Sequence, residues 1–355
     1  MENLINILST MRQHNSEGER DFIEDYIYPL NPTPFFNEKQ EVIAYVVENT
    51  HGHSKVLWSC HVDTMHRART SGDARQEVWV SDDGVAFVNA DCDCLGADDG
   101  AGAWLMMEMI KADVAGTYIF HRGEEIGCWG SSAMALHHTD WLATFTHAIA
   151  FDRRGTTSII THQRGERACS DELGTTLINL FGMRHELDPT GVYTDTAEYM
   201  DIIPECVNIS IGYENEHGSS ETLDTVYALA LRDAVCALDW GSITLPVVRD
   251  PLVREYTQSK YGFGYGSYGN WGSTSKKATL STGLNPYEIP TTDELLECTN
   301  TDLADWVLAA DPYEVAFLLQ DMADQLLEAQ HGASYAEIET YDEHDPYNRL
   351  DVGMR

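Results

Sequence analysis

The chain has 355 residues, 43% of them hydrophobic and with 8 Trp, 17 Tyr and 10 Phe, a composition that excludes a disordered chain. Its 22 Lys and Arg stand against 58 Asp and Glu, a formal net charge of −36 that excludes adhesion to nucleic acid or to an anionic membrane surface. No segment offers the long uncharged apolar run of a membrane span, and the start of the chain lacks the apolar stretch of a secretory leader, so a cytoplasmic protein with reduced thiols is expected. The acidic surplus is spread along the chain rather than gathered in one block. That suits a solvated surface better than an acidic decoy for a DNA-binding partner.

In chain order, residues 2–12 and 16–27 have helical spacing, with Ser16 placed to cap the second helix. Apolar and β-branched runs then predict strands over 42–47, 55–60 and 78–88, the last broken by a turn at Ser81-Asp82-Asp83-Gly84. A helix is expected over 101–110, a strand over 117–121, a helix over 132–142 and a strand over 147–151. A short strand at 157–161, a helix at 170–183, a strand at 207–211 and a closing helix follow. In that closing helix Leu223, Val226, Ala230, Val235 and Leu238 are read as one apolar face. Strands separated by helices imply an α/β fold: a mixed, largely parallel sheet covered by helices on both faces, with the short early strands as antiparallel additions. Residues 1–245 make the catalytic domain in this reading. A Gly/Tyr/Ser-rich linker over 246–285, a small C-terminal helical appendage over 286–332 and an acidic tail over 333–355 follow it. The apolar stripe Val315, Leu318, Leu319, Met322 and Leu326 gives the appendage a face through which a homo-oligomer could form.

Five short segments fall at predicted strand ends, where open α/β sheets place their ligand crevice. They are His61-Val62-Asp63, Gly96-Ala97-Asp98-Asp99-Gly100-Ala101-Gly102, Gly123-Glu124-Glu125-Ile126-Gly127, Asp152-Arg153-Arg154-Gly155 and Glu216-His217-Gly218. Singly, each is an ordinary turn or surface pair. Asp91-x-Asp93-x-x-Gly96 mimics the opening of a calcium loop but has Leu95 at position five and Gly102 at position twelve, where a bidentate Glu is needed. Cys92-x-Cys94 has no second pair of thiols at structural-zinc spacing.

Taken together and in this order, the segments resemble the co-catalytic two-zinc exopeptidases, the clan of peptidase T, glutamate carboxypeptidase and the bacterial leucyl aminopeptidases, over roughly residues 55–240. The resemblance implies two divalent ions, Zn2+ in the first instance with Mn2+ or Co2+ as alternatives. His61 and Asp152 would hold one, Glu125 and His217 the other, and Asp98 would bridge them. It also implies that Asp63 orients His61 and that the Asp98–Asp99 peptide is cis. Chemistry agrees: two cations sharing one carboxylate need several anionic or imidazole ligands, and three carboxylates with two imidazoles supply them. Glu124, beside ligand Glu125, is placed to act as general base and then acid.

The interval of 65 residues from Asp152 to His217 leaves no room for the lid domain that part of the clan inserts there. Arg153 and Arg154 could grip a substrate carboxylate or balance the charge of an acidic site, and Trp129 could form a substrate wall or pack in the core. Tyr193, Asp195, Glu198 and Tyr199 could line the pocket or cap a turn. The expected function is metal-dependent hydrolysis of peptide bonds, foremost as an aminopeptidase. A deacylase of N-acyl amino acids and a carboxypeptidase use the same cage. An acidic interaction protein with a vestigial hydrolase core is the reading from another class.

Overall fold

Period-two alternation in the central strands sends side chains to opposite faces, and this determines how the sheet is covered. The computed structural model describes residues 1–49, 54–67 and 74–253. The chain divides into two units, Met1–Ser267 and Tyr268–Arg355, and every described residue belongs to the first. The expected linker beyond 253, the appendage over 286–332 and the tail over 333–355 lie outside the described residues.

The strands of the main sheet are β1 (Thr33–Phe36), β2 (Val42–Asn49), β3 (Val56–His61), β6 (Gly116–His121), β7 (His147–Arg153), β8 (Ser158–Ile160), β11 (Glu186–Asp188) and β12 (Glu205–Ser210). Between these, β4 (Trp79–Val80) and β5 (Val85–Phe87) belong to a second sheet, and β9 (His162–Gln163) pairs with β10 (Glu166–Arg167). The spatial order β1-β2-β6-β3-β7-β12-β8-β11 is mixed. The centre β6-β3-β7-β12 is parallel, whereas β2 runs antiparallel to both β1 and β6. The mixed sheet expected from the sequence is therefore what forms.

Trp58 and Cys60 of β3 and Tyr118 and Phe120 of β6 face one core, lined by α1 (Glu2–Leu8), α3 (Ala97–Lys111), α6 (Asp171–Phe181) and α7 (Thr225–Cys236). Leu57 and Ile119, one residue out of step, face the other core under α4 (Trp129–His137) and α5 (Thr139–Leu142). Ser16 caps α2 (Glu17–Phe22), its hydroxyl accepting from Glu19 N at 3.1 Å.

Three expectations need correction. The helix expected over 132–142 is two helices broken at His138. The closing helix begins at Thr225, so Leu223 lies on β14 (Thr222–Asp224), Val226 is 59% exposed, and the buried stripe is Ala228, Leu231 and Val235. The segment expected to start the linker at 246 is fastened to the unit. Glu205, wholly buried, accepts from the backbone N–H groups of Val248 and Arg249, and the Arg249 guanidinium donates to the carbonyls of Arg167, Met200, Ile203 and Pro204. The first unit therefore runs past the boundary expected at 245.

The small sheet, in the order β13-β14-β5-β4 with β13 at Tyr213–Glu214, is antiparallel throughout and carries the loop that bears His217.

Candidate active site

His61 is the last residue of β3 and Asp152 lies near the end of β7, two parallel neighbours, so their side chains emerge at the same edge of the sheet. Glu124 and Glu125 follow β6 directly. Asp98 precedes the regular part of α3, with non-helical backbone at Asp98 and Asp99 and a cis peptide between them, as the resemblance implied. His217 reaches in from the β13–β14 loop at φ +65°.

All five expected ligands meet. His61 Nε2 lies 3.1 Å from Asp98 Oδ1 and 3.8 Å from Asp152 Oδ1. His217 Nε2 lies 3.2 Å from Asp98 Oδ2 and 3.1 Å from Glu125 Oε2. Asp98 thus offers one oxygen to each imidazole. Glu124 Oε2 stands 4.0 Å from His61 Nε2, and its Oε1 accepts from the Cys128 thiol at 3.5 Å. The site grades from depth to rim: the His61 side chain is buried, whereas that of His217 is 48% exposed.

The charges explain what such a site requires. Burial raises the Asp152 carboxyl well above its ordinary range, reinforced by Asp98 and Asp99. Burial, with repulsion from Asp195, Asp98 and Glu125, pushes Glu124 up to about 8 against the pull of His61. Hydrogen bonds to Asp98 and Glu125 push His217 up to about 11. His61 rises well above 6.5 against its own burial, because Asp63 and Asp98 hydrogen-bond it. The carboxylates therefore recruit positive charge from any group in reach. Among the described residues, Glu125 Oε1 and Asp99 Oδ2 are buried with no hydrogen-bond partner. An excess of buried acceptors, with two imidazoles on a shared carboxylate, fits two divalent cations. Asp99 also falls within ligand reach of His61 and Asp152, so it adjoins the set although the resemblance passes over it.

The supports are equally specific. Asp63 flanks His61 with two groups: the ring nitrogen His61 Nδ1 meets the Asp63 main-chain carbonyl at 3.0 Å, and the carboxylate stands 3.6 Å from the same nitrogen. That carboxylate also accepts from three consecutive N–H groups, Gly123 at 2.9 Å, Glu124 at 3.1 Å and Glu125 at 3.2 Å. It therefore shapes the Glu124 loop as much as it orients His61. Asp152 accepts from Thr194 Oγ1 at 2.7 Å and Tyr213 Oη at 3.1 Å, and Asn208 bonds both its backbone groups. Gly102 is obligatory where it stands, since a Cβ would lie 2.2 Å from Asp99 Oδ1 and 2.6 Å from the Phe151 carbonyl.

The expected substrate-gripping residues are already engaged. Arg153 donates to Thr190 at 3.2 Å and stands 3.6 Å from Asp188. Arg154 pairs with Glu216 at 3.2 Å. Trp129 is half-buried and meets His14 edge to face at 5.2 Å. Among the residues flagged between the ligands, Asp195 bonds Ser131 and pairs with His121, Tyr199 bonds His121, and Glu198 bonds Tyr193 and Ser132. They brace the region behind Glu124.

Reading the sequence missed Arg12, Thr194, Asn208, Tyr213 and Glu221. Arg12 is wholly buried and donates to the carbonyls of Ile7, Thr10, Val62 and Gly96, tying the His61 loop to the Asp98 turn. An arginine set in an otherwise apolar helical register was the one available signal for it. Glu221 has both carboxylate oxygens on the Asp98 turn. No local pattern marks it.

Residues 41–195 match the sequence profile of Peptidase family M28. Among solved structures the fold is similar to aminopeptidase PepT from Bacillus cereus, 13% identical with a TM-score of 0.54 over 68% of this chain and 97% of that one. It is similar as well to a tripeptidase from Staphylococcus aureus, 12% identical with a TM-score of 0.50 over 66% and 95%. A TET aminopeptidase from a marine-sediment Thaumarchaeota archaeon is 14% identical, with a TM-score of 0.50 over 67% and 96%. At these identities the likeness is one of fold. No curated protein matches the chain in sequence. The resemblance first carried by the five motifs thus holds in the profile match and in the fold.

Proposed function

We propose that this chain is a two-metal aminopeptidase, with His61 and Asp152 on one ion, Glu125 and His217 on the other, and Asp98 between them. The observation that carries the reading is Asp98 itself, one oxygen 3.1 Å from His61 and the other 3.2 Å from His217, with Glu124 beside the pair. When bound, two divalent ions, Zn2+ foremost and Mn2+ or Co2+ as alternatives, supply Lewis acidity toward an amide carbonyl and lower the pKa of water at neutral pH.

The chain's own residues do the rest. Glu124 takes the proton of the attacking water as the new C–O bond forms, then delivers it to the leaving nitrogen as the C–N bond breaks. Its buried position and acidic neighbours raise its affinity for that proton, and the Cys128 thiol holds its second oxygen. Asp63 holds the loop that carries Glu124 through three N–H groups. Thr194 and Tyr213 hold Asp152.

With Arg153 and Arg154 engaged by Asp188, Thr190 and Glu216, neither guanidinium is left for a substrate carboxylate, and the chain's net charge of −36 favours a substrate's ammonium instead. Substrates are then peptides with a free amino terminus. No described helix is long and apolar enough to cross a membrane, and the seven described cysteines carry free thiols, which fits work in the cytoplasm. Self-association through residues 286–332 belongs to the same proposal and is read by sedimentation.

The deciding experiment is a panel of free, N-blocked and C-amidated dipeptides assayed with zinc, manganese and cobalt. Blocking the amino terminus should abolish more turnover than amidating the carboxyl terminus. The reverse pattern overturns the aminopeptidase reading in favour of a carboxypeptidase or a deacylase. An active protein that binds no metal overturns it altogether.

A further inference from the structure

The turn Gly96-Ala97-Asp98 carries the carboxylate that faces both imidazoles, and two buried side chains hold it, one through a carbonyl and one through two N–H groups. Arg12 Nη2 donates to the Gly96 carbonyl at 3.2 Å. Glu221 Oε2 accepts from Gly96 N at 2.8 Å, and Oε1 accepts from Asp98 N at 3.0 Å. Both side chains are buried, Arg12 at 0% and Glu221 at 1% exposure. Both Glu221 oxygens are spent on this one turn. Burying a carboxylate is costly unless strong donors meet it, so a fold that accepts the cost here gains the position of Asp98.

Glu221 also lies four residues after His217 in the same β13–β14 loop, and its own N–H closes that loop on Gly218 O at 2.9 Å. The loop's two ends are held by the ladder of β13 on β14, by β14 on β5 and by Tyr213, whose carbonyl accepts from Gly155 N at 2.8 Å, while between those ends the Arg154–Glu216 pair lies at the surface. His61, by contrast, ends a strand paired on both sides, and Arg12 grips the adjacent Val62 carbonyl at 2.9 Å.

We infer that Glu221 is a positioning residue that couples the two halves of the metal site: it locks the Asp98 turn to the loop bearing His217, and so sets the affinity of the ion held by His217 and Glu125. The inference rests on the two-metal reading above. It concerns a residue that touches neither ion nor substrate, and its effect passes through Asp98 and His217.

The test is zinc binding by the chelator-stripped full-length chain, followed by competition with a chromophoric chelator, for wild type and Glu221→Gln. An amide keeps one acceptor but turns an NH2 group toward an N–H. The weaker of the two zinc affinities should fall by about 10–100-fold, the range for partners that orient ligands, while the tighter one moves less than about 3-fold. Turnover should recover when zinc is raised. Asp224→Ala is the control. It removes the cap on α7, where Asp224 Oδ1 accepts from Tyr227 N at 2.9 Å, and should lower the melting temperature with both affinities unmoved.

If Glu221→Gln behaves like that control, Glu221 is structural only and the inference is overturned. If both affinities fall equally, Glu221 fixes Asp98 alone and the coupling is overturned. Should Glu221→Gln not fold, Glu221→Asp, with one oxygen drawn back, takes its place and the same two outcomes apply. A wild-type chain that binds fewer than two ions defeats the two-metal reading instead, a result distinct from either.

Discussion

Replacing Asp63 by Asn isolates what its charge contributes to the Glu124 loop. Asp63 Oδ1 accepts from Gly123 N and Glu124 N, and Oδ2 accepts from Glu125 N at 3.2 Å. The amide oxygen of Asn can keep the first two, but as neutral bonds, each weaker by about 1 kcal/mol. The amide nitrogen then faces the Glu125 N–H, donor against donor, leaving a buried group unsatisfied at about 1–3 kcal/mol. The sum is a loss of about 3–5 kcal/mol, or roughly 10 °C in melting temperature for a unit of this size. Because the loop carries Glu124 and Glu125, turnover should fall as well, and the amides of residues 123–125 should exchange with deuterium faster than their neighbours. Thermal denaturation and exchange mass spectrometry read both effects. A variant within about 1 kcal/mol of wild type, with unchanged turnover and exchange, refutes the role given to the three N–H bonds.

Glu124→Gln should retain two metal ions and the wild-type melting temperature while losing roughly 10²-fold or more in turnover, and near-normal turnover would make Glu124 a structural residue. Burial would raise the Glu19 carboxyl, but hydrogen bonds from His14 and Arg122 hold it below its ordinary 4.5, so its contribution is present above that pH and is lost as pH falls through the lower folded value. Denaturant melts of Glu19→Gln should accordingly show a deficit at pH 7 that shrinks below pH 4.5, and a deficit that grows on acidification would contradict the linkage. A chain ended at residue 245 loses the Arg249 bonds to four carbonyls and should melt well below one ended at 253; equal melting temperatures would show that Arg249 is dispensable.

What could be read from the sequence, and what could not, follows the range of the interactions. The central strands are legible because they are continuously apolar and sit between turn signals, and His61, Glu125 and Asp152 stand out as candidate ligands because each follows such a run. The edge strand β1 was missed because Thr33-Pro34-Phe35-Phe36 contains a proline, which a sheet tolerates at its border, where β1 lies. A helix that includes Leu223 puts Val226 on the buried face. Once the helix starts at Thr225, the register rotates and Val226 points to solvent. The Asp63 carboxylate was matched to His61, its neighbour in sequence, whereas its closest donors lie 60–62 residues on. Arg12 and Glu221 act on the Asp98 turn from 84 and 123–125 residues away, and no periodicity records a bond of that reach.

The family profile begins at residue 41, yet the opening stretch of the chain is built into the loops beside His61, Asp98 and Glu124. Arg12 fastens Val62 and Gly96, and Glu19 receives the Arg122 guanidinium through both oxygens, at 3.0 and 2.7 Å, one residue before Gly123. These two side chains precede their partners in the chain and stay hydrated until residues 62, 96 and 122 have followed, so their burial waits on the folding of the whole unit. A fragment trimmed to residues 41–195 would keep four of the five candidate-ligand segments, lacking that of His217, and none of this bracing. For this chain, the first twenty residues are part of the enzyme's machinery although they contain no group that does chemistry.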